Sequence, residues 1–204
     1  MKLRFKHQRF QADAAKAVCD VFAGQPRLER TYIVDKGIIV KPEQIGLDFN
    51  ASPEEVERKL EQMGTGYNNS KVVLSPEQVL ENLQRVQRQH QIAPSPKLEG
   101  FYNLTIEMET GVGKTYTYIK TMYELNKLYG WSKFIVVVPS VAIREGVFKS
   151  FQITQDHFSE EYNKKIRFFI YDSANLTAID QFATDSGINV MIINSQAFNS
   201  RAAA

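Results

Sequence analysis

Residues 107–115 read Glu-Met-Glu-Thr-Gly-Val-Gly-Lys-Thr, and no other stretch of the chain limits its fold so tightly. The segment follows the apolar run Leu104-Thr105-Ile106 and opens a stretch with helical spacing. Closely placed glycines let backbone N–H groups turn inward, and a helix start adds its own unpaired amides. Such a nest of donors suits a polyphosphate. On this reading the loop backbone from Thr110 through Gly111, Val112 and Gly113 wraps the phosphates. Lys114 reaches the β- and γ-phosphates and the Thr115 hydroxyl holds Mg²⁺. The general pattern also carries a glycine where this chain has Met108, so the match is partial.

The rest of the chain tells which kind of fold presents that loop. From residue 101 apolar runs recur at 104–108, 134–139, 166–171 and 188–194, with helical segments at about 114–128 and 141–157. Near-continuous β-branched runs suit strands buried on both faces of a parallel sheet. The spacing therefore predicts an α/β fold with phosphate binding at the carboxyl end of a strand. Upstream, helical spacing covers 10–23 and stops at Gly24 and Pro26. Residues 31–34 and 37–40 predict two strands around a turn at Asp35-Lys36-Gly37. Ser52-Pro53-Glu54-Glu55 and Ser75-Pro76-Glu77-Gln78 share one helix-start signature, predicting helices over 53–63 and 76–90. Residues 64–69 read as loop, and 91–100, with Pro94 and Pro96, as a linker.

Composition excludes little but orients the rest. With 43% hydrophobic and 24% charged residues the 204-residue chain reads as globular. A net charge of +2 does not by itself imply nucleic acid. The first thirty residues are locally basic, with Lys2, Arg4, Lys6, Arg9, Lys16, Arg27 and Arg30 against Asp13, Asp20 and Glu29. That cluster reads equally as a solvated surface or as a phosphate contact. The single cysteine, Cys19, sits among apolar residues and reads as a core side chain. It allows no intrachain disulfide, which suits a reducing cytosol and a cytoplasmic location. No apolar run approaches the roughly 20 residues that span a bilayer, so no membrane partner is expected. His7, His90 and His157 stand singly, without ligand spacing.

The residues around the loop carry a family resemblance. Residues 108–115, Met-Glu-Thr-Gly-Val-Gly-Lys-Thr, resemble motif I of superfamily 2 helicases, in which the first glycine is commonly absent. Residues 136–147 resemble motif Ia, and residues 193–198, Ile-Asn-Ser-Gln-Ala-Phe, the motif Ib region, of the Res subunits of type III restriction–modification systems. Residues 10–14, Phe-Gln-Ala-Asp-Ala, resemble the Q motif. The resemblance covers most of the chain and is weakest over 25–75.

The resemblance implies a RecA-like P-loop NTPase lobe, a mainly parallel sheet flanked by helices with an N-terminal α+β extension. It implies ATP and Mg²⁺ as cofactors, with Lys114 and Thr115 in the catalytic role. Gln11 would read the adenine edge through an amide that donates and accepts at once, with Gln8 as competitor and a helix-surface glutamine as the plain alternative. Ser140, Arg144, Ser195 and Gln196 would touch the double-stranded DNA backbone without reading bases. For Ser140 a helix cap, and for Arg144 an exposed helix arginine, remain the plain alternatives. The partners implied are DNA and the modification (Mod) methyltransferase subunit. The division along the chain is a Q-motif-like helix at 1–24, a helical and hairpin insertion with linker at 25–100, and the RecA-like lobe at 101–204.

Hydrolysis needs more than a phosphate cradle. It needs carboxylates for Mg²⁺ and water, and arginines for transition-state charge. In the resembled family an Asp-Glu motif II follows motif Ib, but no Asp-Glu pair follows residue 194 here. The chain is thus expected to be the amino-terminal part of an ATP-dependent site-specific deoxyribonuclease, binding nucleotide without turning it over or cleaving DNA. Another superfamily 2 translocase lacking a nuclease, and a non-catalytic module binding DNA or a partner, are the competing readings.

Overall fold

A computed structural model describes residues 5–27, 31–33, 66–100, 102–172 and 174–196. The chain forms two compact units, each woven from three segments. The first comprises Met1–Glu29, Ser70–Trp131 and Ser150–Lys165, the second Arg30–Asn69, Ser132–Lys149 and Ile166–Ala204.

The first unit is helical. Helix α1, Arg9–Val21, buries Gln11, Ala15 and Cys19 along one face and also Val21. The face is shifted from the purely apolar one that the spacing favoured, for Phe10 is 47% exposed. Cys19 is a core residue, and burial followed by the Glu124 charge pushes its thiol up to about 12. Helix α2, Pro76–Gln89, begins with the capping box expected at Ser75. Its Oγ accepts from Gln78 N at 3.3 Å, while Gln78 Oε1 accepts from Ser75 N at 2.9 Å. Buried Val79 and Val86 meet Val21 and Leu74 in one core cluster. Beside them Asn82 Nδ2 donates to the carbonyls of Val21 and Ala23, pairing acceptors that the end of α1 leaves open. Helix α3, Lys114–Tyr129, ends at Gly130 in the left-handed conformation. The later half of helix α4, Val141–Tyr162, adds the buried rings of Phe151 and Phe158. This helix runs five residues past the expected end at 157, for the apolar spacing continues through Phe158 and Tyr162.

The second unit holds the sheets. Strands β3 (Lys133–Val138), β4 (Ile166–Ile170) and β5 (Ile188–Asn194) form a parallel sheet ordered β3-β5-β4. Val136 stands opposite Ile192, and Phe168 opposite Val190. All seven residues of β5 are buried, which explains its largely apolar run, broken only by Asn189 before it closes on Asn194. Helix α5, Leu176–Thr184, precedes β5, and the early half of α4 follows β3. This is the α/β organisation that strand–helix alternation predicted, a small parallel sheet flanked by helices.

Three local expectations are corrected. Residues 66–68, read as loop, form strand β2 (Gly66–Asn68) antiparallel to β1 (Thr31–Ile33). A Cβ at Gly66 would lie 2.8 Å from Ala183 O, so the glycine permits close approach. Helix α5 was not anticipated. Its start is marked only by Asn175, whose Oδ1 accepts from Ala178 N at 3.3 Å. Residues 104–108 do not form a strand. Leu104 packs on the α2 cluster, Ile106 is 51% exposed, and the described residues of that unit offer no ladder to pair with. The expected strand at 37–40 and helix at 53–63 lie outside the described residues. No helix among the described residues is long and apolar enough to cross a membrane.

Candidate functional site

The loop before α3 sits in the first unit. Gly111 has φ +85° and Gly113 φ +90°, both in the left-handed region that side-chain-bearing residues rarely adopt. Gly113 is the N-cap of α3 and supplies no side-chain acceptor, and the first turn contains no acidic residue. The leading amides of α3 therefore lack the side-chain partner that a helix N-terminus usually recruits. Lys114 opens the helix, and its Nζ donates back to Glu109 O at 3.1 Å. Thr115 follows in the first turn. Positive-φ glycines, uncapped amides and a lysine beside them fit a polyphosphate with its metal.

Gln11 comes to this loop from α1, across 101 residues of sequence. It is 9% exposed, and its Nε2 donates to Val112 O at 2.8 Å. A Cβ on Gly113 would fall 2.5 Å from the same nitrogen. One N–H of the Gln11 amide is thus given to the loop backbone, so Gln11 braces the loop whatever else it reads. Both Gln11 and its competitor Gln8 line a cleft of about 260 Å³, together with His7, Arg9, Ala12, Tyr116 and Lys120. Part of the basic N-terminal cluster is internally paired, for Arg9 meets Asp13 at 3.6 Å and Lys16 meets Asp20.

The histidines do not all stand alone. The rings of His7 and His157 lie 5.6 Å apart by centroid, and Tyr116 Oη is 2.8 Å from His157 Nε2. His157 Nε2 is 3.5 Å from Glu161 Oε2, Lys120 Nζ pairs with Glu161, and Tyr162 donates to Glu124 Oε1 at 2.6 Å. Burial holds the His157 pKa below its ordinary value against the pull of Glu161, with His7 and Lys120 adding to the depression. Burial, then the Glu161 charge, pushes the Tyr116 phenol up to about 12. Spacing could not reveal this cluster, because positions 7, 116 and 157 meet only through packing. The one local signal was His157 four residues before Glu161.

The other residues singled out lie in the second unit, at the carboxyl ends of β3 and β5. Ser140 Oγ accepts from Ile143 N at 3.3 Å, so Ser140 does cap α4. Arg144 is not the exposed arginine of the plain alternative, for its side chain is only 20% exposed. Its Nη1 donates to Asn194 Oδ1 at 3.3 Å and its Nη2 to Glu145 Oε1 at 3.1 Å. Arg144 Nε is buried with no partner among the described residues. Ser195 N continues the ladder by donating to Val138 O at 2.8 Å, and Gln196 is exposed. The fold thus brings Ser140, Arg144 and Ser195 to one end of the sheet. Asn194, which ties Arg144 to β5, was missed. A polar residue closing a buried apolar run was its only trace.

Residues 67–203 match the family model described as type III restriction enzyme, res subunit. The chain is 34% identical over 152 residues to the type III restriction-modification enzyme EcoP15I Res subunit of Escherichia coli, covering 65% of this chain and 16% of that protein. It is 33% identical over 112 residues to the EcoPI Res subunit of Escherichia phage P1, covering 52% and 11% respectively. It is 36% identical over 116 residues to the StyLTI Res subunit of Salmonella typhimurium, covering 48% and 12%. The chain therefore spans less than a fifth of the length of these relatives. With the matched model extending over well more than half of its residues, and with the glycine loop before α3, α4 and β5 inside the match, the chain belongs to the type III restriction enzyme Res subunit family.

Proposed function

We propose that this chain is the ATP-binding part of the motor of a type III restriction enzyme. The amides around Gly111 and Gly113, with the backbones of Thr110 and Val112, cradle the phosphates. Lys114 turns from Glu109 O to the β- and γ-phosphates, and Thr115 supplies a hydroxyl ligand to Mg²⁺. A Mg²⁺ held there would supply neutralisation of phosphate charge. Gln11 keeps its grip on Val112 O and offers its amide oxygen to the adenine edge, with Gln8 beside it. Ser140, Arg144, Ser195 and Gln196 hold the DNA backbone without reading bases.

The division follows the chain: a Q-motif helix at 1–24, an insertion at 25–100 and the motor lobe at 101–204. The whole protein works in the cytoplasm with double-stranded DNA and a Mod methyltransferase subunit, coupling ATP hydrolysis to movement and cleavage.

The observation that carries this reading is the uncapped start of α3 between two positive-φ glycines and Lys114. Titration calorimetry with ATP and Mg²⁺ tests it on the chain and on Lys114→Ala. Loss of a charge-assisted contact worth about 1.5–3 kcal/mol lowers affinity by about ten- to a hundredfold. Equal affinities overturn the assignment.

A further inference from the structure

We propose that Tyr116 forms the wall of the nucleobase slot beside the P-loop and that His157 is its positioning residue. The inference rests on the nucleotide reading above and extends it to side chains outside the P-loop and Q-motif residues.

The slot is the cleft that His7, Gln8, Gln11 and Tyr116 line. It adjoins the loop directly, because Gln11 both lines it and bonds Val112 O. Tyr116 is the second residue after Lys114, so a nucleotide whose phosphates rest on the start of α3 places its base within reach of that ring. The lining chemistry suits a planar heterocycle. Two side-chain amides offer donors and acceptors, an imidazole offers one of each, and an aromatic ring supplies a flat apolar surface.

The wall is held from behind. The Tyr116 ring packs on Phe158 and Phe5, with centroids at 4.8 and 5.8 Å. Those contacts are non-directional. The hydrogen bond to His157 Nε2 is directional and pins the phenol. For Nε2 to accept the phenol O–H, the imidazole must be neutral with its proton on Nδ1. The groups facing His157 favour the neutral imidazole on balance, and the Nδ1–H tautomer is the one the proposal requires. His7 precedes α1, Lys120 is on α3, and Glu160 and Glu161 are on α4, with burial acting first. Glu161, 3.5 Å away, is itself held by Lys120, whose Nζ also donates to Tyr162 Oη at 2.8 Å. Both Tyr116 and Lys120, two of the cleft's lining side chains, are therefore anchored to α4.

Ordinary packing and base-wall positioning differ in what they do to ligands. A packing defect weakens any ligand of the loop, whereas a displaced wall weakens only a ligand that carries a base. Calorimetry with MgATP and with magnesium tripolyphosphate separates the two. His157→Ala lowers ATP affinity about tenfold, the worth of one hydrogen bond, and leaves tripolyphosphate within about twofold. His157→Gln retains most ATP affinity, because its amide oxygen accepts the same O–H. Tyr116→Phe, a near-isosteric change, behaves as His157→Ala, and combining the two adds no further loss. Unchanged ATP affinity in both variants, or equal losses for both ligands, overturns the inference. Lys114→Ala weakens both ligands if the loop holds phosphate. If it weakens neither, the nucleotide reading itself fails and this inference falls with it.

Discussion

Replacing Gly113 by alanine tests the loop geometry through two separable effects. At φ +90° a Cβ meets the backbone strain of left-handed L-residues, about 1–2 kcal/mol. The same Cβ falls 2.5 Å from Gln11 Nε2 and pushes the amide off Val112 O, forfeiting a hydrogen bond worth about 1 kcal/mol. Together Gly113→Ala should destabilise the first unit by about 2–3 kcal/mol. Gly111 is the internal control. Its φ of +85° imposes the same strain, but a Cβ there meets nothing within 4 Å. Gly111→Ala should therefore cost only the strain, about 1–2 kcal/mol. Gln11→Ala alone should cost about 1 kcal/mol. In the double variant Gln11→Ala/Gly113→Ala that bond is already absent, so its loss is counted once. The double variant should match Gly113→Ala, giving a coupling of about 1 kcal/mol. Urea unfolding followed by fluorescence of Trp131, the single tryptophan and a buried residue of the same unit, reads all four variants. Additive losses in the double variant, or a Gly111→Ala loss as large as that of Gly113→Ala, would refute the bracing role given to Gln11.

Two further outcomes follow from the second unit. Arg144→Ala should weaken duplex DNA binding about equally across sequences and reduce the slope of log affinity against log salt by about one, measured by fluorescence anisotropy; an unchanged slope removes Arg144 from the phosphate contacts. Burial opposes ionisation of Asp185, but hydrogen bonds from Asn189 and the Gly187 amide, with the Arg167 and Lys133 charges, outweigh it and hold the carboxyl below its usual range. A folded pKa below the unfolded one means stability present above about pH 4 and lost as pH falls through the folded value, so Asp185→Asn should lower the urea midpoint at pH 7 and narrow the gap to wild type at pH 3.

Much of the local structure was legible from neighbouring residues alone. Ser75 and Gln78 announce the start of α2 because a capping box is closed within four residues. The apolar run at 188–194 announces a buried strand because every one of its side chains faces an interior. The glycines at 111 and 113 announce a loop of positive φ because side-chain-bearing residues resist that conformation. Other elements were illegible for equally physical reasons. Residues 66–68 become a strand only because residues 31–33 lie alongside, and residues 104–108 do not because no described residue of their unit forms a ladder with them.

The site divides in the same way. The glycine loop proposed to hold phosphate was singled out from nine consecutive residues, since its features are backbone geometry plus an adjacent lysine and threonine. Where Gln11 spends its amide, that His157 Nε2 meets the Tyr116 hydroxyl, and that Asn194 holds Arg144 were decided by packing between positions 41 to 101 residues apart. The sequence by itself determined which groups can turn toward a phosphate. The tertiary structure decided which side chains stand behind them, because a hydrogen bond depends on distance in space and carries no mark in the spacing of residues along the chain.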